Sequence, residues 1–324
     1  MEGCLDRRTA IGLGLAGTLV SHVAHAQTEP GYRPGDSREF VALWPAEPPG
    51  GEGIRLQLKV VEDVLPDGFH FRAVSQIQTP GYFVYRPARP TGLGLLVIPG
   101  GGYAVEGADR GGLEVAQYFA SLGITCFVLR YRLPSEGWKN REIVALQDAQ
   151  RAMRLIRAGE YGIQRLAVIG FSAGGHVSAA LAIRHAMNTY NPVSSADRMA
   201  ARPDIAAHMY PVITMGTGAH RGSRDKLLGE NPSPEAVSEH SLELHVMPDA
   251  SPSWVCLATD DDVVPALPNG MALFVAMQAA KVSSELHAFE SGGHAFGVKG
   301  TPGKPNAAWP SLFLAWAASH NFKG

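Results

Sequence analysis

The sequence predicts an α/β fold, with a mostly parallel sheet of about eight strands and helices on both faces. Three observations carry this. Short apolar runs recur at Leu93–Ile98, Ile124–Leu129, Arg165–Ile169 and Trp254–Ala258, and runs of this length without alternation suit strands buried on both faces. Segments of helical spacing separate them, and strands alternating with helices predict a parallel sheet. The composition is that of a globular chain: 324 residues, 45% hydrophobic and 18% charged, with a net charge of −2. That balance excludes a disordered chain, and the lack of a basic surplus excludes a nucleic-acid binder. The 37 glycines keep no triplet period, and three cysteines are too few for a disulfide scaffold.

The chain opens as an address. Arg7 and Arg8 precede an apolar, glycine-rich run from Ala10 to Val20, and Ala24-His-Ala26 places small residues before Gln27. This order resembles a twin-arginine export signal cut after Ala26. The run is shorter than the roughly 20 residues of a spanning helix, so no stable membrane insertion is expected. Gly12-Leu-Gly-Leu-Ala-Gly17 matches the dinucleotide fingerprint, but no strand precedes it. Residues 1–26 are therefore read as a cleaved signal and 27–324 as one domain, periplasmic or secreted. Loss of Glu2, Asp6, Arg7 and Arg8 leaves the charge balance unchanged.

Tyr32 to Gly53, dense in Pro and Gly, reads as an extended surface lead-in. Strands are expected at Lys59–Val64 and Tyr82–Tyr85 and then at Leu93–Ile98, followed by a helix over Gly111–Leu122 with Leu113, Ala116, Phe119 and Ala120 on one side. After the strand Ile124–Leu129, a helix from about Asn140 repeats Ala145, Ala149, Ala152, Met153 and Ile156, and turns Arg151, Arg154 and Arg157 to solvent. The strand Arg165–Ile169 leads to an Ala-rich helix over Gly175–Ala186. Further strands fall at Ala207–Ile213, Trp254–Ala258 and Glu285–Phe289, with helices at Asn269–Ala280 and Pro310–His320. Thr214 to Pro252 lacks strand signals and is read as a substrate-side insertion near 214–252, holding His220, that covers the active site.

Four short segments follow predicted strands and carry the chemistry. Gly170-Phe-Ser172-Ala-Gly174 is GxSxG at a strand-to-helix turn, where the flanking residues must be small and the helix N-terminus favours developing negative charge. Pro99-Gly-Gly-Gly102-Tyr lets backbone N–H groups face a cavity, so Gly101 and Gly102, with the amide of Ala173, are candidate oxyanion donors. Asp260-Asp-Asp262-Val-Val-Pro265 offers a carboxylate, an acidic turn or a cation site, and Gly292-Gly-His294 frees a ring to reach across the sheet edge. Ser172, Asp261 and His294 occur in the chain order of the α/β-hydrolase triad. A serine needs a base to become nucleophilic, a neutral imidazole supplies one, and a buried carboxylate fixes its tautomer.

From about Phe40 to the C-terminus, the chain resembles α/β-hydrolases of the acetyl-xylan esterase and feruloyl esterase group, some of which are called endo-1,4-β-xylanases. The similar stretches are Leu43-Trp-Pro, Pro99-Gly-Gly-Gly-Tyr103, Asp148-Ala-Gln-Arg-Ala152, Gly170-Phe-Ser-Ala-Gly-Gly-His176, Tyr210-Pro-Val-Ile, Leu227-Leu-Gly, Asp260-Asp-Asp-Val-Val-Pro265 and Gly292-Gly-His-Ala-Phe-Gly297. The resemblance implies an α/β-hydrolase fold, Ser172 as nucleophile, His294 as base, and Asp261, four residues before Pro265, as the acid. The substrate it implies is a small-molecule or carbohydrate ester, with no cofactor and no metal. Pro99 stands where the lipase-like branch has histidine. Two other readings are a serine peptidase of the prolyl-oligopeptidase type and a non-catalytic binding protein on the same scaffold. The aromatic residues Trp44, Tyr103 and Trp138 are expected to pack rather than stack on sugars.

Overall fold

The computed structural model describes residues 23–25, 36, 37, 39–64 and 68–324. The predicted export signal lies outside the described residues except for Val23–His25, and so does the glycine motif at 12–17. Strands β1 (Val23–His25), β2 (Glu39–Ala42), β3 (Lys59–Val64), β4 (His70–Ser75), β5 (Gly81–Tyr85), β6 (Leu93–Ile98) and β7 (Glu106–Gly107) precede the first helix, α1 (Glu114–Ser121). There follow β8 (Thr125–Arg130), α2 (Val144–Ala158), β9 (Arg165–Phe171), α3 (Ala173–Ile183) and β10 (Ala206–Met209). Helices α4 (Arg221–Leu228) and α5 (Pro234–His240) lead to β11 (Ser253–Ala258), α6 (Ala272–Ala279), β12 (Ser284–Phe289) and α7 (Trp309–Ser319).

Among the described residues, one sheet runs in the order β1-β2-β5-β8-β6-β9-β10-β11-β12. The pairings from β8 through β12 are parallel, and β1, β2 and β5 add antiparallel neighbours at one side. Alternate residues of each central strand enter different cores. Leu95 and Val97 of β6, Ala167 and Ile169 of β9, and Trp254 and Cys256 of β11 pack with Phe119 of α1 and Phe313 of α7. Leu96, Val168 and Val255 pack with Met153 of α2, Val177 of α3 and Met277 of α6. Both faces are thus covered, which is why these strands read as apolar runs. The fold is the α/β class expected, with helices on both sides of a mostly parallel sheet.

Several local expectations need correction. The lead-in from Tyr32 to Gly53 is not all surface: β2 joins the sheet, and Leu43 and Trp44 are buried. Trp44 donates through Nε1 to Asp148 Oδ1 at 2.8 Å, and Arg151 Nε donates to the Leu43 carbonyl at 2.9 Å. Arg151 is therefore buried rather than turned to solvent, and is ion-paired with Asp197 at 2.7 Å. That partner lies far along the chain, beyond the reach of helical periodicity. Asp148 also holds the fully buried Arg132. Trp44, Tyr103 and Trp138 are all buried, in keeping with a packing role.

The strand expected over Ala207–Ile213 stops at Met209, because Tyr210 takes a positive φ of 35° and Pro211 has no N–H to continue the ladder. The helices expected at Gly111 and Asn269 begin as single wide π turns, Asp109–Leu113 and Leu267–Met271, before α1 and α6. Each π turn carries a glycine against the sheet: a Cβ on Gly112 would sit 3.3 Å from Val128, and one on Gly270 2.7 Å from Leu257. The small sheet β3-β4-β7 was only partly foreseen. In β4 the buried, alternating position is taken by Arg72, which interrupts the apolar pattern of a strand.

Candidate active site

Five strand ends meet at the C-terminal edge of the sheet. Beyond β9 the chain turns so sharply that Ser172 takes φ 54° and ψ −117° before α3 begins. A β-carbon on Gly170 would collide with the Gly174 backbone, and one on Gly174 would collide with the Ile98 and Pro99 carbonyls. Only glycines fit there. The turn is fastened by Ser172 N–H, which donates to the Met209 carbonyl at 3.0 Å, and by Ser172 O, which accepts from Val212 N–H at 3.1 Å. A strained serine held by its neighbours is the geometry of a nucleophile elbow.

His294 follows β12 and Asp261 follows β11. His294 Nε2 lies 2.9 Å from Ser172 Oγ, and His294 Nδ1 lies 2.6 Å from Asp261 Oδ2. Asp261 is 7% exposed, and its Oδ1 accepts from Val263 N–H and Val264 N–H, both at 2.9 Å. Burial pushes this carboxyl up, but the hydrogen bond and charge of His294 with the two amides outweigh it and hold it below its ordinary value. An ionised carboxylate at Nδ1 keeps the proton there and leaves Nε2 as the acceptor for Ser172.

The three adjacent aspartates part company. Asp260 accepts from Gly292 N–H at 2.9 Å and from Gly293 N–H at 2.8 Å, so it clamps the loop that carries His294. Asp262 is exposed. The structure thus brings Asp261, and neither of its neighbours, to the imidazole. Among the described residues, no group of three His, Cys, Asp or Glu side chains is arranged to hold a metal.

The glycine run after β6 passes beside the serine. A Cβ on Gly100 would lie 3.0 Å from Ser172 Cβ, and Gly101 and Gly102 both have positive φ. Among the described residues, the N–H groups of Gly101, Gly102 and Ala173 have no hydrogen-bond partner. The run is anchored at Gly100 O, which accepts from Gly107 N–H at 2.9 Å, and at Pro99 O, which accepts from the Tyr131 hydroxyl at 3.0 Å.

Sequence reasoning missed the supports beneath the site. His176 donates from Nε2 to the His240 carbonyl at 3.1 Å and accepts at Nδ1 from the Tyr103 hydroxyl at 2.8 Å, tying the glycine run to α3. The Tyr210 ring stands 4.9 Å from that of His294, and its hydroxyl donates to the Phe296 carbonyl. Both residues sit in stretches that the resemblance had marked without giving them a role.

A family described as alpha/beta hydrolase fold matches residues 95–298. The chain belongs to that family. Among curated relatives, it is 34% identical over 208 residues to endo-1,4-beta-xylanase B of Butyrivibrio fibrisolvens, covering 63% of this chain and 32% of that protein. It is 29% identical over 224 residues to the acetylxylan esterase of Xylanibacter ruminicola, covering 66% and 43%. The chain therefore spans less than half the length of the curated relatives it matches. The crystal structure of an acetyl ester-xyloside bifunctional hydrolase from Caldicellulosiruptor lactoaceticus shares a TM-score of 0.72 and 29% identity, over 89% of this chain and 98% of that one. An esterase from Thermogutta terrifontis, with propionate bound, has a TM-score of 0.60 at 23% identity over 83% and 97%, a likeness of fold. No helix among the described residues is long and apolar enough to cross a membrane.

Proposed function

We propose that this α/β-hydrolase is a serine carboxylesterase that removes acetyl or other small acyl groups from carbohydrates such as xylan. The observation that carries the reading is the continuous hydrogen-bonded chain Ser172–His294–Asp261 at the sheet edge, beside glycine N–H groups without partners. The names of the acetylxylan esterase and the acetyl ester-xyloside hydrolase support the choice of ester.

In this reading, Ser172 Oγ attacks the ester carbonyl carbon as its proton passes to His294 Nε2. The N–H groups of Gly101, Gly102 and Ala173 hold the oxygen that becomes negative. Collapse breaks the bond to the alcohol, which leaves with the proton from His294, and Ser172 remains acylated. Water then attacks the acyl group, giving its proton to His294, and the carboxylic acid departs as Ser172 is restored. Asp261 stays ionised throughout and stabilises the imidazolium.

The test is a panel of acetylated xylan, acetylated monosaccharides, feruloyl esters and aminoacyl amides offered to the purified protein. Acetyl sugars are expected to turn over fastest, whereas amide cleavage alone would replace the reading with a peptidase. Ser172→Ala should lower kcat by about 10⁴-fold or more while thermal melting is unchanged. Retained turnover would remove Ser172 from the chemistry. We also infer export through the segment 1–26, and the N-terminus of protein recovered from the periplasm is expected to begin at Gln27.

A further inference from the structure

His220 stands at the start of α4, where its Nδ1 accepts from Ser223 N–H at 3.2 Å and lies 2.8 Å from Ser223 Oγ. An imidazole nitrogen that accepts from an amide carries no proton, so in the neutral ring the proton sits on Nε2. Burial and the neighbouring His294 lower the basicity of His220, and Asp261 opposes them only in part. The ring packs against Gly222, where a Cβ would come 3.2 Å from Cε1. The same Cε1 lies 3.7 Å from the position of a Cβ on Gly102, one of the N–H groups assigned to the oxyanion. Among the described residues, Nε2 has no hydrogen-bond partner, and it is open to solvent. The capping bonds thus orient a donor beside the glycine run and within electrostatic reach of His294, with that donor unclaimed by the protein.

Two partners in an ester could use it. The acyl methyl of an acetate has no acceptor, which leaves the carbonyl oxygen or an oxygen of the alcohol. The carbonyl oxygen already has three backbone donors at Gly101, Gly102 and Ala173. The alcohol oxygen must lie over His294 to receive its proton while the carbonyl oxygen sits at the glycine run, so the alcohol group starts close to Gly102, which His220 neighbours. We propose that His220 is a substrate-binding residue whose Nε2–H donates to a hydroxyl of the leaving sugar, so that the site selects esters of polyols over esters of plain alcohols. The proposal rests on the esterase reading above.

A matched pair of esters tests it: a monoacetylated methyl xyloside, and cyclohexyl acetate, which offers a similar ring without hydroxyls. The variant is His220→Asn, because asparagine keeps the capping acceptor for Ser223 N–H but lacks a donor at the reach of Nε2. For the xyloside, kcat/KM is expected to fall about tenfold, mainly through KM, the loss for one hydrogen bond. For cyclohexyl acetate it should stay within about twofold. His220→Ser, a second capping residue, should give the same split. An equal fall on both esters in both variants would assign His220 to the oxyanion or to packing and overturn the proposal, as would no fall on either. If the wild-type protein hydrolyses neither ester, the esterase reading itself fails, an outcome separate from the loss of selectivity.

Discussion

The carboxylates at the rim of the sheet and the titratable groups sealed inside it meet burial in opposite ways. At the rim, Asp261 is buried, yet His294 and two amide donors hold its carboxyl below the ordinary range. Inside, Glu106 on β7 is sealed further from solvent and receives Tyr131 N–H at 2.6 Å, and burial pushes its carboxyl up to about 8. The two interior histidines follow Glu106 in becoming neutral. Burial pushes His176 and His208 each down to about 3, with only hydroxyl and carbonyl partners around them. The difference is set by depth together with donors and charge. A carboxylate at the rim keeps its charge where two N–H groups and an imidazole face it. One sealed inside gives it up where a single amide and the charge of Arg130 do not offset burial.

Removing the charge at the rim should therefore be costly to chemistry and cheap to folding. Asp261→Asn is expected to lower kcat on p-nitrophenyl acetate by about 10³–10⁴-fold, because an amide no longer fixes the His294 tautomer. Asp260→Asn keeps an oxygen for the Gly292 and Gly293 amides but loses its charge. It should cost only about tenfold, as a slackened loop displaces the imidazole. Parallel steady-state measurements on the two variants decide which carboxylate serves His294, and a larger loss at Asp260 would reverse the assignment.

This contrast also marks what the sequence could disclose. The strands of the central sheet were legible because both faces are covered, so Leu93–Ile98 and Trp254–Ala258 are apolar throughout. The positions of Ser172 and Asp261 were legible because each follows such a strand. His294 follows the partly exposed β12 and was marked instead by its flanking glycines and by the chain order of the three residues. The choice among Asp260, Asp261 and Asp262 was not legible from spacing alone, since it depends on which carboxylate the turn after β11 aims at the ring. The interior polar groups left no periodic trace. Arg72 interrupts the apolar alternation of β4, Arg151 lies on a helix face read as turned to solvent, and Glu106 falls in a stretch without a pattern. Their partners Asp109, Asp197 and Tyr131 N–H are distant in sequence. His220 lay in a segment without strand signals, and only the packing of α4 brings it to Gly102.

The sealed layer gives the mildest prediction and the one with the clearest sign. Glu106 is protonated in the folded chain up to about pH 8, whereas in the unfolded chain it ionises near its ordinary value of 4.5. Between those values the folded state holds a proton that the unfolded state has lost, so stability falls as pH rises. Its contribution is most favourable below the unfolded value and is lost as pH rises through the folded one. Glu106→Gln keeps an acceptor for Tyr131 N–H but cannot ionise. The variant should therefore melt close to the wild type at about pH 5 and above it at about pH 9, by a few degrees or more. Activity should change little, because glutamine keeps the acceptor for Tyr131 N–H, so that neither Tyr131 nor Gly107 is released from the glycine run. Melting curves of both proteins across that range give the answer. A gap that stays constant with pH would mean that Glu106 is already ionised in the fold, and the contrast between rim and interior would fail at the residue that expresses it most strongly.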